Sequence, residues 1–212
     1  YPESIAIVVW SVDTMKTGGD DVAYIMRLLG VRPTWGSVGG KVTGLEVIPC
    51  AELGRPRIDV TVRISSLFRD TFPNLFQLID EAVSMVCELD EADEDNLLRK
   101  HLREDMARMI ADGMSPSDAR ENAMIRVFGE PPGTHGAGVN ILVESSKWDS
   151  VEDLAQMYVT CGCSAYGRRW RGERKPDLFR HRIEGADVAV KNQVDREFDL
   201  VDTDDGYSYL GG

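Results

Sequence analysis

The distribution of apolar and polar residues over the first 30 positions predicts a strand, a loop and a helix. The stretch "IAIVVW" at 5–10 is continuous, short and rich in β-branched residues, which is typical of a buried strand in a parallel sheet. The polar stretch "SVDTMKTGGDD" after it predicts a loop. Apolar residues between 22 and 29 then recur at the spacing of one helix face, and Gly30 indicates where that helix ends.

A second strand-to-helix unit follows within the first 90 residues. "RIDVTVRI" at 57–64 alternates strictly between polar and apolar residues and predicts a strand. Apolar positions between 75 and 86 have helical spacing, and Pro73 suits the first position of that helix. Short strands are expected on either side of the Gly39-Gly40 turn. Two successive strand-to-helix crossovers indicate a right-handed α/β arrangement.

The remaining chain predicts helices interrupted by one long loop. Ser115 is a candidate helix cap directly before Pro116. "FGEPPGTHGAG" at 128–138 is a glycine- and proline-rich loop that no regular element can absorb. "ADVAVKN" at 186–192 predicts one more strand.

These patterns together predict an α/β fold: a mainly parallel sheet with flanking helices and a helical segment in the middle. The predicted organisation is α/β strand-loop-helix units over 1–90 and a mainly helical segment with the glycine-rich loop over 91–185. A strand and an acidic tail over 186–212 return to the α/β part.

Composition excludes several classes of protein. A net charge of -12 over 212 residues argues against a general nucleic-acid binder, because phosphate binding requires a basic surface. No apolar run approaches the roughly 20 residues that a membrane span needs, and neither a signal peptide nor a disulfide-dense pattern is evident. We therefore expect a cytoplasmic protein. Because the chain starts without Met just before a strand pattern, we expect it to be a piece of a longer polypeptide.

The charge is unevenly distributed along the chain. The stretch 80–95 has eight acids and no base, whereas 168–182 has seven bases and two acids. One interpretation is ordinary solvated surface; the other is docking of the acidic helix to a basic partner.

Charged residues follow both predicted strands of the first 90 residues. Trp10, Asp13 and Lys16 come after the first strand, where open α/β sheets bind ligands. The spacing fits neither G-x-G-x-x-G nor the P-loop, so no dinucleotide or nucleoside-triphosphate site is indicated. Arg69 and Asp70, close after Arg63, occupy the equivalent place in the second unit. They predict either an ion pair that ties the crossover to the sheet or an arginine fork for a substrate carboxylate.

The histidines and cysteines define no closed metal site. His101 lies on a predicted helix, and His135 lies in the glycine-rich loop, a position suited to a proton carrier or a labile metal ligand. The spacing H-E-x-x-H is absent, and Cys161 and Cys163 alone supply too few ligands for a metal.

Long blocks of the sequence resemble the large subunits of cobalt and magnesium chelatases. The blocks include "WSVDTMKTGGDDVAYIMRLLGVRPTW", "RISSLFRDTFPNLFQLIDEAV", "RVFGEPPGTHGAGVN" and "ADVAVKNQVDREFDLVDTDDGYSYLGG". They occur in order over essentially the whole chain. "RISSLFRD" and "FGEPPGTHGAG" are most similar to the cobaltochelatase (CobN) branch.

The resemblance implies an enzyme subunit that binds a tetrapyrrole and inserts a metal. The cobalt branch inserts cobalt into hydrogenobyrinic acid a,c-diamide in cobalamin biosynthesis as a ligase-type, ATP-dependent enzyme. AAA+ partner subunits hydrolyse the ATP, in agreement with the lack of a P-loop here, and the divalent metal is a substrate. The alternatives are a magnesium chelatase subunit acting on protoporphyrin IX, or a non-catalytic scaffold or docking module. A fragment of such a subunit is expected to be inactive alone.

The resemblance and the chemistry of metal insertion together suggest roles for particular residues. A base must accept two ring protons, and labile ligands must pass on the metal. His101 and His135 are candidates for both roles, with Asp13 and Asp70 assisting. Candidates for the substrate's carboxylates and its ring face are Lys16, Arg63, Arg69, Arg99, Trp10 and Tyr166.

Overall fold

The strands of the protein form one six-stranded sheet and one separate hairpin. The structure, a computed structural model, describes residues 1–37, 39–136 and 138–192. In chain order the strands are β1 (Ser4–Val9), β2 (Val31–Trp35), β3 (Val42–Val47), β4 (Asp59–Ile64), β5 (Val127–Gly129), β6 (Ser164–Tyr166), β7 (Arg171–Arg174) and β8 (Val188–Lys191). The order across the large sheet is β7-β6-β5-β4-β1-β8, and β2 pairs with β3.

The helices connect and cover these strands. In chain order they are α1 (Ser11–Thr17), α2 (Asp20–Leu29), α3 (Cys50–Leu53), α4 (Ser66–Thr71), α5 (Pro73–Cys87), α6 (Leu97–Ala111), α7 (Pro116–Ala123), α8 (Val139–Glu144), α9 (Val151–Gly162) and α10 (Pro176–Glu184). In the part of the chain that the structure describes, no helix has the length and apolar character to cross a membrane.

The large sheet is mainly parallel, which confirms the predicted fold class. β4 and β8 both pair with β1 in parallel, and β5 pairs with β4 in parallel. β6 and β7 extend the sheet with antiparallel pairs. All six residues of β4 are buried, as expected of a central strand that is covered on both faces.

Two details of the architecture differ from the sequence-based expectation. The segment expected to be a polar loop contains α1, whose buried residues Ser11, Asp13 and Thr14 are polar, so it has no apolar stripe to signal a helix. The mainly helical segment 91–185 also supplies β5, β6 and β7 to the large sheet. These strands have only three or four residues each, too few to show a period. The acidic tail lies outside the described residues.

Gly30 allows α2, the hairpin and the start of β4 to meet. Its backbone is left-handed, with φ of 74°, and an added Cβ would lie 2.3 Å from Nη1 of Arg57. The Arg57 guanidinium donates to the carbonyls of Gly30 and Ile48, and it also pairs with Glu91. A side chain at position 30 would therefore displace a buried arginine that holds three segments together.

Candidate active site

The carboxyl ends of β1, β4, β5 and β8 meet at one edge of the large sheet, hereafter the carboxyl edge. Trp10 follows β1, Ser65 follows β4 and Glu130 follows β5, while Lys191 is the last residue of β8. Open α/β sheets bind ligands at this edge because the loops there are free to diverge. The carboxyl edge is therefore the candidate active site.

Asp13 and Lys191 form an ion pair at one end of the carboxyl edge. The Lys191 ammonium binds the Asp13 carboxylate and lies 4.3 Å from the centroid of the Trp10 ring. Asp21, in the first turn of α2, is buried close by. Burial raises the pKa of the Asp21 carboxyl, and the negative charge of Asp13 adds to the increase. Lys16 is exposed on α1.

Arg69 and Asp70 form an ion pair, the first of the two arrangements expected from the sequence. Nε and Nη2 of Arg69 donate to the two carboxylate oxygens of Asp70 at 2.6 and 2.8 Å. Nη1 of Arg69 donates to the carbonyls of Glu130 and Pro131 at 3.1 and 2.8 Å. The hydrogen bond from Arg69 holds the pKa of Asp70 below its usual value, yet half of the Asp70 side chain is exposed. The pair braces the start of the glycine-rich loop and presents a carboxylate to solvent.

His135 contacts α4 from the glycine-rich loop. Its Nδ1 lies 2.8 Å from Oγ of Ser66, and the residue is exposed. Ser65 caps α4 by accepting a hydrogen bond from the Phe68 amide at 3.2 Å. A capped helix thus positions both Ser66, which contacts His135, and Arg69, which holds the base of the loop.

Arg63 and Tyr166 are buried beneath the carboxyl edge. Nη2 of Arg63 donates to Glu130 at 2.9 Å, and both side chains are nearly inaccessible. The Arg63 guanidinium also lies 5.7 Å from the centroid of the Tyr158 ring. The Tyr166 hydroxyl donates to the Glu130 carbonyl at 2.5 Å, and its ring packs on Phe76. Neither residue reaches the surface where we expected it to meet substrate.

The structure separates His101 and Arg99 from the other candidates. Nδ1 of His101 lies 2.9 Å from Oδ2 of Asp59, the first residue of β4, so His101 lies at the opposite, amino edge of the sheet. The hydrogen bond with Asp59 raises the pKa of His101. Arg99 donates to the Glu91 carbonyl at 2.5 Å and to Asp90 at 3.3 Å.

Lys191, Ser66 and Glu130 are site residues that the sequence analysis did not single out. Lys191 ends a predicted strand, so the rule about carboxyl ends already pointed to it. Across residues 1–37, 39–136 and 138–192, no group of three or more His, Cys, Asp or Glu side chains is arranged to hold a metal ion. The two histidines predicted as metal ligands lie at opposite edges, so they do not share one ion.

Comparison with known proteins identifies relatives over the whole chain. The family model for CobN/Magnesium Chelatase matches residues 1–212. The chain is 49% identical to an uncharacterized protein of Methanocaldococcus jannaschii, covering 100% of this chain and 17% of that protein. It is 42% identical to the aerobic cobaltochelatase subunit CobN of a Sinorhizobium species, covering 100% of this chain and 16% of that subunit.

A solved structure has the same fold. The catalytic subunit of cobaltochelatase from Mycobacterium tuberculosis matches with a TM-score of 0.91 and 44% identity, covering 99% of this chain and 17% of that one. The chain therefore spans 16–17% of the length of these relatives.

Proposed function

The chain belongs to the CobN/magnesium chelatase family, and from this premise we propose that it is part of the tetrapyrrole-binding large subunit of an ATP-dependent cobalt chelatase. The subunit would insert cobalt into hydrogenobyrinic acid a,c-diamide in the cytoplasm, with AAA+ partner subunits hydrolysing ATP. We choose cobalt because the CobN subunits are 42 and 43% identical to this chain, whereas the magnesium-chelatase subunits of rice and of Chlorobaculum parvum are 39 and 35% identical.

The observation that carries a catalytic role is the exposed His135 held by Ser66 beside Asp70. When Nδ1 of His135 carries the hydrogen and donates to Ser66 Oγ, the lone pair of Nε2 is available to accept a proton. The described residues give Nε2 no hydrogen-bond partner. Metal insertion releases two protons from the macrocycle, so His135 is our candidate base, with the exposed Asp70 carboxylate assisting.

The remaining carboxyl-edge residues would position the substrates. Lys16 offers positive charge to the carboxylates at the rim of the macrocycle, and Arg69 holds Asp70 and the start of the glycine-rich loop in place. Asp13 would assist by keeping Lys191 in place. An incoming metal ion would meet His135 and Asp70 as weak, exposed ligands, which suits transfer rather than storage. The proposal leaves out His101, Arg99, Arg63 and Tyr166, because their side chains are engaged elsewhere.

Magnesium insertion into protoporphyrin IX is the second candidate, because magnesium-chelatase H subunits match the chain over its full length. The two candidates call for different substrates. The intact natural protein should be assayed with its ATPase partners and ATP, once with cobalt and hydrogenobyrinic acid a,c-diamide and once with magnesium and protoporphyrin IX. Cobalt insertion alone supports the first proposal, and magnesium insertion alone replaces it with the second.

Variants of the same protein test the roles of the side chains. We expect His135→Ala and Asp70→Asn each to lower the insertion rate by about 100- to 10,000-fold, the range typical of general acid–base groups. His181→Ala is the matched control, because His181 is also exposed but lies with Asp105, away from the carboxyl edge. Equal rates for His135→Ala and His181→Ala would remove His135 from the mechanism.

A further inference from the structure

An apolar groove opens next to the polar residues of the carboxyl edge. It lies between α1, α2, α5 and the β2–β3 hairpin and has a volume of about 410 Å³. Its lining includes Met15, Val22, Ala23, Trp35, Val42 and Phe72, and no charged side chain is among the described residues that line it. The proposed function makes no use of this groove.

The rim of the groove exposes large apolar side chains. Trp35 is 63% exposed, Met15 is 56% exposed and Val42 is 36% exposed. Contiguous apolar surface of this kind marks a binding site, since isolated exposed apolar residues would be scattered. Gly18 and Gly19 form part of the wall, and nothing lies within 4 Å of the position a Cβ would occupy on either. That wall is open.

The groove adjoins the candidate active site at two points along the chain. Thr14, which lines it, follows Asp13, the partner of Lys191. Phe72, which also lines it, lies two residues after Asp70 at the end of α4, and its ring packs 5.6 Å from that of Phe68. The groove and the carboxyl edge are therefore built from adjoining residues of the same two chain segments.

The shape and chemistry of the groove favour a flat, apolar small molecule. Its volume falls within the range of about 300–1,000 Å³ that is usual for small-molecule sites. Aromatic rings and methionine thioethers supply polarizable contacts for a conjugated ring system. Lys41, exposed next to Val42 at the tip of the hairpin, offers positive charge for an acidic substituent.

We propose that this groove seats the apolar face of the tetrapyrrole, with Trp35, Met15 and Phe72 as its main contacts. This inference rests on the proposed function and adds the location of the macrocycle. It also replaces Trp10 and Tyr166 as the principal ring contacts, because Tyr166 is buried and Trp10 is occupied by Lys191.

Filling the groove tests the proposal. In the intact natural protein, Ala23→Trp places an indole in the groove from an exposed position of α2. The matched control is Ala107→Trp, the same substitution at an exposed position of α6. We expect Ala23→Trp to raise the Kd for hydrogenobyrinic acid a,c-diamide and for protoporphyrin IX at least 10-fold, and Ala107→Trp to leave both unchanged. Thermal unfolding of both variants checks that they fold.

A second measurement maps the groove without blocking it. A thiol at Met15→Cys is expected to react with a maleimide in the free protein and to be protected at least 5-fold by a saturating macrocycle. The control is Ile110→Cys, because Ile110 is 40% exposed and lies on α6. Its thiol should react equally with and without macrocycle.

The outcomes separate this inference from the proposed function. Unchanged macrocycle binding by Ala23→Trp, or no protection at position 15, overturns the groove while leaving metal insertion possible. Loss of ATPase-subunit binding in Ala23→Trp with normal macrocycle binding would make the groove a protein-docking surface and also overturn it. Failure of the natural protein to bind either macrocycle refutes the proposed function and the groove together.

Discussion

At the amino edge of the sheet Asp59 and Asp105 are buried and paired, whereas at the carboxyl edge exposed polar groups lie above buried pairs such as Arg63–Glu130. Asp59 accepts hydrogen bonds from Arg126 at 2.6 Å and from His101 at 2.9 Å, and Asp105 pairs with Arg182 at 2.5 Å. At the carboxyl edge, by contrast, half of the Asp70 side chain is exposed. His135 is also exposed there, with its Nδ1 next to Oγ of Ser66. The difference indicates that the amino edge uses charge for stability, whereas the carboxyl edge also keeps Asp70 and His135 available for a ligand.

The protonation state of Asp59 reflects this arrangement. Burial by itself would raise its pKa, but the charge of Arg126 and the hydrogen bond from His101 outweigh burial and lower the pKa to about 2. Arg182 shows the opposite balance: burial and the nearby charge of Arg126 lower its pKa to about 10. Asp59, Arg126 and Arg182 therefore stay charged near neutral pH.

The largest effect is expected from breaking the amino-edge network at Asp59. Asp59→Asn leaves the buried Arg126 guanidinium without a compensating charge, so the free energy of unfolding should fall by about 3–5 kcal/mol. Urea unfolding followed by circular dichroism measures this loss of unfolding free energy. Asp70→Asn is the control at the other edge and should cost under about 1 kcal/mol because Asp70 is half exposed. Similar losses for both variants would contradict the contrast between the edges.

A smaller loss is expected from removing the brace of the glycine-rich loop. Arg69→Ala deletes the fork to Asp70 and both hydrogen bonds to the carbonyls of Glu130 and Pro131. The free energy of unfolding should fall by about 2 kcal/mol, and amide hydrogen exchange around His135 should become faster. Asp70→Asn keeps the bonds to the loop carbonyls and should leave that exchange slow. Unchanged exchange in Arg69→Ala would show that the loop is held by other contacts.

The pH dependence of stability should distinguish the edges through His101. Its pKa is raised above the ordinary value of 6.5 by Asp59, so the stabilisation is fully present below pH 6.5 and is lost as the pH rises through the folded-state pKa. We expect natural protein to exceed His101→Gln in unfolding free energy by about 1 kcal/mol at pH 6, with a smaller difference at higher pH. Unfolding curves from pH 6 to 9 measure this difference. A difference that grows with pH would have the wrong sign.

The elements with a clear period were predictable from the sequence, and those without one were not. β4 alternates and the helices α2 and α5 recur at helical spacing, while β1 is a short continuous run of β-branched residues, so all four could be identified. The placement of α6 was not predictable, because packing across the sheet, rather than local spacing, brings His101 to Asp59. Likewise the partners Arg63 and Glu130 are 67 residues apart in the chain, and no local pattern connects them.

The acidic stretch 80–95 forms ion pairs, some of them on the surface. Loss of a surface pair should change the free energy of unfolding least. The acids of this stretch pair with bases of the same chain: Glu88 with Arg120, Glu91 with Arg57 and Asp80 with Arg168. The structure thus gives these three acids partners within the chain. Arg120 and Glu88 are both substantially exposed, so water and salt already screen their attraction.

Breaking the Arg120–Glu88 pair should give the smallest change in the free energy of unfolding. Arg120→Gln should change the free energy of unfolding by no more than about 0.5 kcal/mol at physiological salt, because exposed ion pairs contribute little. Urea unfolding at low and high salt provides the measurement, and the small difference from natural protein should disappear at high salt. A loss as large as that of Asp59→Asn would mean that the surface pairs, and not burial at the amino edge, account for the stabilising charge. The small value expected here and the large one expected at Asp59 together attribute the stabilisation to burial of paired charges rather than to their number.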